Sequence, residues 1–148
     1  MPTPQKRPPL LNEVIKTKTT ILSGILTIPT EHDGYTIGTV CTTADAAKNW
    51  AVLEHPLYEA GEFNETDTVF HEGHIWESTE DTNSDEPTAD SLKWKDLGEF
   101  EANGILAENA KETGKYAFLV TGEVREKHLK EYDPTMAHSL FKNKILLK

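Results

Sequence analysis

Cysteine is almost missing: Cys41 is the one cysteine among 148 residues. A single thiol excludes an internal disulfide and any zinc site made of cysteines alone, so a reducing cytoplasm suits the chain. Long apolar runs are also missing. No stretch of about 18 apolar residues exists, which argues against a segment that spans a bilayer. The start, Met1-Pro2-Thr3-Pro4-Gln5-Lys6-Arg7-Pro8-Pro9, is charged and broken by proline, with no signal-peptide core behind it. Membrane insertion and secretion are therefore not expected. Basic residues are scarce: 15 Lys and Arg stand against 25 Asp and Glu, for a net charge of −10. A polyanion would repel such a chain, so no nucleic-acid partner is expected. Apolar residues make up 36% and mean hydropathy is −0.55. That supports one domain with a thin core, or a small domain carrying a smaller inserted one.

The charge is unevenly placed. Residues 58–98 hold 12 acids and two bases, Lys93 and Lys95, and the remaining 107 residues sum to zero. Within that remainder Lys6, Arg7, Lys16 and Lys18 face Glu13 at one end. Residues 124–148 carry six bases against Glu126, Glu131 and Asp133 at the other. A solvated acidic face is one reading of the middle. The other is polarity, in which basic ends dock on an acidic surface and the middle faces solvent.

Local patterns give a mainly β chain. Residues 1–12 read as an extended arm, because Pro2, Pro4, Pro8 and Pro9 fix φ and remove amide donors. Thr17 to Ile28 is rich in Thr, Ile and Leu and predicts strand with a bend or bulge at Gly24. Tyr35–Thr42 and Asn49–Glu54 are further strand candidates, separated by a loop. Gly104–Glu108 and Tyr116–Val124 are strands on the far side of the acidic segment. Val124, His128, Leu129 and Tyr132 fall at helical spacing, and Met136, Leu140 and Phe141 suit a second short helix after Pro134. Ile145, Leu146 and Leu147 close the chain with apolar residues that a free monomer would rather bury.

The segment Gly104-Ile-Leu-Ala-Glu-Asn-Ala-Lys-Glu-Thr-Gly-Lys-Tyr-Ala-Phe-Leu-Val-Thr-Gly-Glu-Val124, followed by a short helix, resembles phage head-decoration (auxiliary capsid) proteins. Gly104, Leu106, Glu108, Asn109, Thr113 and Gly114 occupy the first part of that family's pattern, and Gly122 and Val124 the second. Gly34-Tyr-Thr-Ile-Gly-Thr-Val40 and the strand after Lys48 are similar to its earlier part, as is the Pro-containing arm. The likeness covers about half the chain. It implies a small β-barrel-like frame of the β-tulip type with one or two short C-terminal helices. It also implies homotrimers on the major capsid protein at threefold or quasi-threefold positions, on the outer surface of the virion, and no catalysis.

The acidic segment is similar to small chitin-binding (carbohydrate-binding) modules and related modules of phage fibres. Phe63 to Val69, Gly73 with Trp76, Pro87 and Trp94 match their spacing, and Thr66 stands where Gly is usual. The likeness implies an inserted three-stranded mini-domain. Phe63, Trp76 and Trp94 are candidates either for its core or for contact with host-associated glycans. Position 86, where such modules often expose an aromatic, is Glu86.

Other constellations predict little chemistry. His71-Glu72-Gly73-His74 lacks the i, i+4 spacing of a helical zinc motif and reads as a hairpin turn around Gly73. Asp81, Asp85 and Asp90 lack the glycine and closing Glu of a calcium loop. Cys41 with His32 or His55 could be drawn as nucleophile and base, but a lone Cys in an apolar strand is usually just buried. Gly34-x-x-x-Gly38 has no Lys-Ser/Thr after it, so it is no phosphate loop. No cofactor, metal or enzymatic activity is expected. The layout expected is an arm at 1–15, a frame at 16–57 plus 99–148, and the mini-domain at 58–98. Pro4, Lys6, Arg7, Pro8, Leu10 and Leu11 would lie along the capsid, and Ile145, Leu146 and Leu147 would pack at the trimer or on the shell. A glycan-binding module or a fibre or tail adhesion component is the alternative.

Overall fold

The computed structural model describes residues 11–148. The chain is mainly β and falls into two compact units. One takes the chain up to Leu53 together with Ala102–Lys148, and the other is Glu54–Glu101. The arm residues Pro4, Lys6, Arg7, Pro8 and Leu10 lie outside the described residues.

The first unit, the frame, opens with a helical turn, α1 (Leu11–Val14), where the sequence pattern predicts extended arm. The restraint of the prolines ends at Pro9, so Leu11-Asn12-Glu13-Val14 is free to turn. Strand β1 (Ile15–Leu26) follows directly. The other frame strands are β2 (Val40–Thr42), β3 (Asn49–Val52), β7 (Gly104–Leu106), β8 (Gly114–Val124) and β9 (Ile145–Leu147). β1 runs antiparallel to β8 from Ile15↔Val124 to Leu26↔Gly114. β8 pairs with β7, β7 with β2, and β2 with β3. β3 returns to β1 in parallel through Ile25↔Asn49 and Leu26↔Trp50, so the ladders run round a circuit. β9 lies parallel to β8 at the edge, through Gly122↔Ile145, Glu123↔Leu146 and Val124↔Leu147.

The strand candidate at Tyr35–Thr42 is cut down to β2. Gly38 has φ +100°, and the Thr39 amide turns back to the Thr36 carbonyl at 3.2 Å, leaving Tyr35 as an isolated bridge to Ala110. The helix predicted after Val124 is a single 3-10 turn, Glu126–His128. Its flanks are held extended: the Arg125 amide donates to Val14, the Lys130 amide to Gly38, and Val40 donates back to Lys130. Long-range backbone bonds outcompete the helical spacing there. After Tyr132 the expected second helix forms. The Asp133 side chain accepts from the Thr135 amide, Pro134 starts a 3-10 turn, and α2 (Ala137–Lys142) buries Leu140 and leaves Phe141 exposed.

A frame core gathers Leu26, Tyr35, Cys41, Trp50, Val52, Leu106, Ala110 and Phe118. Trp50 stacks on Phe118 at 4.3 Å and 10°, and its indole N–H donates to the Ala47 carbonyl at 3.1 Å. The large ring needs bare backbone beside it. A Cβ at Gly24 would stand 2.6 Å from Cδ1 of Trp50, and one at Gly104 would overlap the far edge of the ring. Gly24 therefore gives clearance and is not the predicted bulge. The ladder runs in register through Gly24↔Tyr116, and the register shifts lie earlier, between Ile15 and Thr17 and between Lys18 and Ile21.

The second unit is a three-stranded sheet, β4 (Thr68–His71), β5 (His74–Ser78) and β6 (Trp94–Glu99), with β5 central. β4 and β5 meet at Glu72-Gly73, where φ is +50° and +86°, the paired positive values of a tight hairpin. Val69, Trp76 and Trp94 form the core, with Phe63 and Tyr58 packed against it. Phe70 meets Phe100 edge-on at 6.2 Å, so a second aromatic contact backs the sheet. Asn83 is fully buried and fully used. Its amide donates to Ser78 Oγ (3.1 Å) and the Lys93 carbonyl (3.0 Å), and its Oδ1 accepts from the Asp85 amide (3.0 Å).

Candidate functional site

The frame leaves apolar side chains open on both faces of β1, Ile21 and Ile25 on one and Leu22 on the other. Ile21, Leu22 and Ile25 are 38%, 44% and 45% exposed. Ile21 continues a cross-strand row, Ile21↔Leu119↔Ile105↔Val40, whose other three members are fully buried. The core row thus runs out to the surface at Ile21. In the sequence the alternation of Ile21 and Ile25 reads as strand, but apolar periodicity does not tell a covered edge from an open one.

The C-terminal residues divide. Ile145 is wholly buried within its own chain, which removes it from the expected packing surface. Its β9 pairing with β8 already supplies the burial that the sequence sought from a partner. Leu146 remains exposed and Leu147 half-buried. Leu11, the first described arm residue, is half-buried.

In the mini-domain Trp76 and Trp94 are core residues. Their indole N–H groups are satisfied by the carbonyls of His71 (3.2 Å) and Asp85 (2.9 Å). Phe63 is half-buried, 5.8 Å from the ring of Tyr58 and 5.3 Å from that of Trp94. A sugar face would have to be built on Phe63 and Tyr58, the half-buried members of this aromatic set.

Two polar arrangements remain. In the frame, a shallow depression of about 300 Å³ is lined by Thr42–Asp45 and Asn49–Ala51. The Asp45 carboxylate accepts from the Asn49 side chain (2.8 Å), the Asn49 amide (2.9 Å) and the Thr43 hydroxyl (3.0 Å). These bonds hold the Asp45 carboxyl below the usual carboxylate range. Asn103 clamps the same loop, accepting from the Thr43 amide and donating to the Thr43 carbonyl, both at 2.9 Å. Nearby Cys41 is sealed in the core and burial pushes its thiol far up, so it stays protonated. His32, drawn beside it from sequence, is exposed and accepts from the Gly34 amide through Nδ1.

In the mini-domain, the hairpin His71-Glu72-Gly73-His74 separates its histidines. His74 Nδ1 lies 3.0 Å from Asp96, while His71 Nε2 lies 2.9 Å from Glu86 and 4.0 Å from Glu72. The pairing of His71 with Glu86 is invisible in spacing, since a whole strand and the buried Asn83 loop intervene. Glu86 stood out in the sequence only as the residue before Pro87.

No helix among the described residues is long and apolar enough to cross a membrane. Compared with family models, with curated proteins and with solved structures, the chain matches none.

Proposed function

We propose that this protein is a non-catalytic structural component of a phage virion that decorates the outer surface of the capsid. In this reading it binds the major capsid protein as homotrimers at threefold or quasi-threefold positions and stabilises the shell. The observation that carries the reading is apolar surface left open on β1, Ile21 and Ile25 on one face and Leu22 on the other, with Leu146 exposed on the edge strand β9. Apolar side chains left open on a small frame are suited to a partner surface. The charge supports the same polarity. Glu54–Glu101 holds 15 acids and two bases, while the rest of the chain holds 10 acids and 13 bases. The frame can therefore approach an acidic shell while the mini-domain is repelled from it. Each contact would be weak, and symmetry would multiply it over the lattice. Host-associated glycans would have to be met through Phe63 and Tyr58, since Trp76 and Trp94 are spent on the core. The competing role, a glycan-binding or tail and fibre adhesion component, rests on that half-buried pair.

Quantitative mass spectrometry of purified virions tests the proposal. A copy number in simple ratio to the major capsid protein, lost when residues 1–10 are deleted from an otherwise folded chain, is the expected result. A handful of copies per particle would move the protein to a tail or fibre role, and absence from virions would overturn the reading altogether.

A further inference from the structure

His71, Glu72 and Glu86 bring one imidazole nitrogen and two carboxylates together on the surface of the mini-domain. One ligand atom from each lies within 4.8 Å of the others. We propose that these three residues bind a divalent transition-metal ion of the zinc type.

The separations fit. A tetrahedral ion with bonds of about 2.0–2.1 Å to nitrogen and oxygen sets its ligand atoms roughly 3.3 Å apart. His71 Nε2 stands 2.9 Å from Glu86 Oε1 and 4.0 Å from Glu72 Oε1, values that bracket this spacing. The ion would replace the direct His71–Glu86 hydrogen bond with small side-chain movements.

Two of the ligands are also held in place. His71 ends β4, its carbonyl accepts the Trp76 indole N–H, and its ring meets Tyr58 edge-on at 4.8 Å. Glu86 sits between two fixed points. The Asp85 carbonyl accepts the Trp94 indole N–H, and Pro87 is buried. Glu72 occupies the first position of the hairpin turn, with its side chain 77% exposed and free to close on an ion. The ordering left for binding to impose falls on the two exposed carboxylate side chains, Glu72 and Glu86.

The donor set chooses the ion class. Ca²⁺ and Mg²⁺ prefer all-oxygen shells, whereas an imidazole with carboxylates suits zinc and its neighbours. Two carboxylates neutralise the dication. The unit's excess of acids, 15 against two bases, raises the local concentration of cations. Three protein ligands leave a fourth position for water. The bound ion would tie the β4–β5 hairpin to the Asp85–Pro87 loop and stabilise the folded unit by mass action.

Calorimetric titration of the full chain with Zn²⁺, alongside H71Q, E72Q, E86Q and H74Q, tests this. Circular dichroism checks the fold of each variant. The expected result is about one equivalent bound by the wild type and by H74Q, whose histidine pairs with Asp96 instead. H71Q and E86Q should each weaken binding by about tenfold or more. E72Q alters an exposed turn side chain, so it reads the site even if another variant unfolds, and it too should weaken binding. Affinity unchanged in all three, or no binding by the wild type, would overturn the proposal. Equal binding of Ca²⁺ would overturn the ion class.

Discussion

Trp50 makes Gly104 obligatory, and together with the Ala47 carbonyl it does the same at Gly24. The ring lies against Gly104 and Gly24 while stacking on Phe118, and no flexible side chain stands in the way to yield. Gly104→Ala must displace the indole from a filled core, and overpacking of that kind costs about 1–3 kcal/mol. For a unit of this size each kcal/mol lowers Tm by roughly 4–8 °C, so thermal unfolding followed by Trp fluorescence should fall by that margin. The reverse holds at Thr66. This β-branched residue has φ +76°, with its amide bonded to the Ser78 carbonyl at 2.9 Å. The left-handed region costs a β-branched side chain about 1 kcal/mol or more, and Thr66→Gly should return about that amount to the mini-domain in urea unfolding. Thr66 was legible in the sequence as a departure from a pattern that usually has Gly. Gly104 was legible only as part of a motif. Its reason, the Trp50 ring, comes from a residue 54 positions earlier that no local window reaches.

Among the elements, strands were readable where side chains alternate and long-range bonds agree with them. The segment Tyr116–Val124 became the core of β8, and Asn49–Glu54 became β3 with its last two residues trimmed. Within Arg125–Tyr132 the expected short helix shrinks to the 3-10 turn Glu126–His128, because helical spacing carries no information about amides already claimed by Val14 and Gly38. The loop between β2 and β3 shows the same dependence on partners. Ala46 and Ala47 both take positive φ, and Asp45 holds the turn by accepting from Thr43 and Asn49. The bonds to Asn49, first its side chain and then its backbone, and to Thr43 lower the folded-state pKa of Asp45 below its ordinary value. A depressed carboxyl stabilises the fold above its unfolded value of about 3.9, and that contribution is lost as pH falls through the folded value. Asp45→Asn should therefore melt below the wild type at pH 7. The difference should shrink as the solution is acidified below about pH 4. A gap that stays constant down to the acid limit would mean that the carboxylate charge is not what holds the loop.

For the whole molecule, the question is how a frame tolerates 48 residues, Glu54–Glu101, placed between two of its strands. The pairing of β2 answers it. Cys41 faces Val52 of β3 on one side and Gly104 of β7 on the other. Neighbouring strands stand about 4.8 Å apart, so the two ends of the insertion leave the frame roughly 10 Å from each other. An extended stretch of four residues spans about 13 Å, enough to bridge that gap across the end of β2. Nothing in the frame ladders needs the insertion: all six strands pair among themselves, and the Trp50–Phe118 core draws on frame residues alone. Replacing residues 54–101 by Gly-Ser-Gly-Ser should therefore leave a folded frame. The product keeps Trp50 as its one tryptophan, since Trp76 and Trp94 leave with the insertion, so fluorescence then reports the frame core without interference. It also reverses the charge, because the retained residues hold 13 bases against 10 acids. The expected outcome is a buried, blue-shifted Trp50 emission and one cooperative thermal transition, in a protein that migrates as a cation at pH 7. Red-shifted emission and a broad transition would mean that the frame draws stability from the insertion, and that the two units are one folding body.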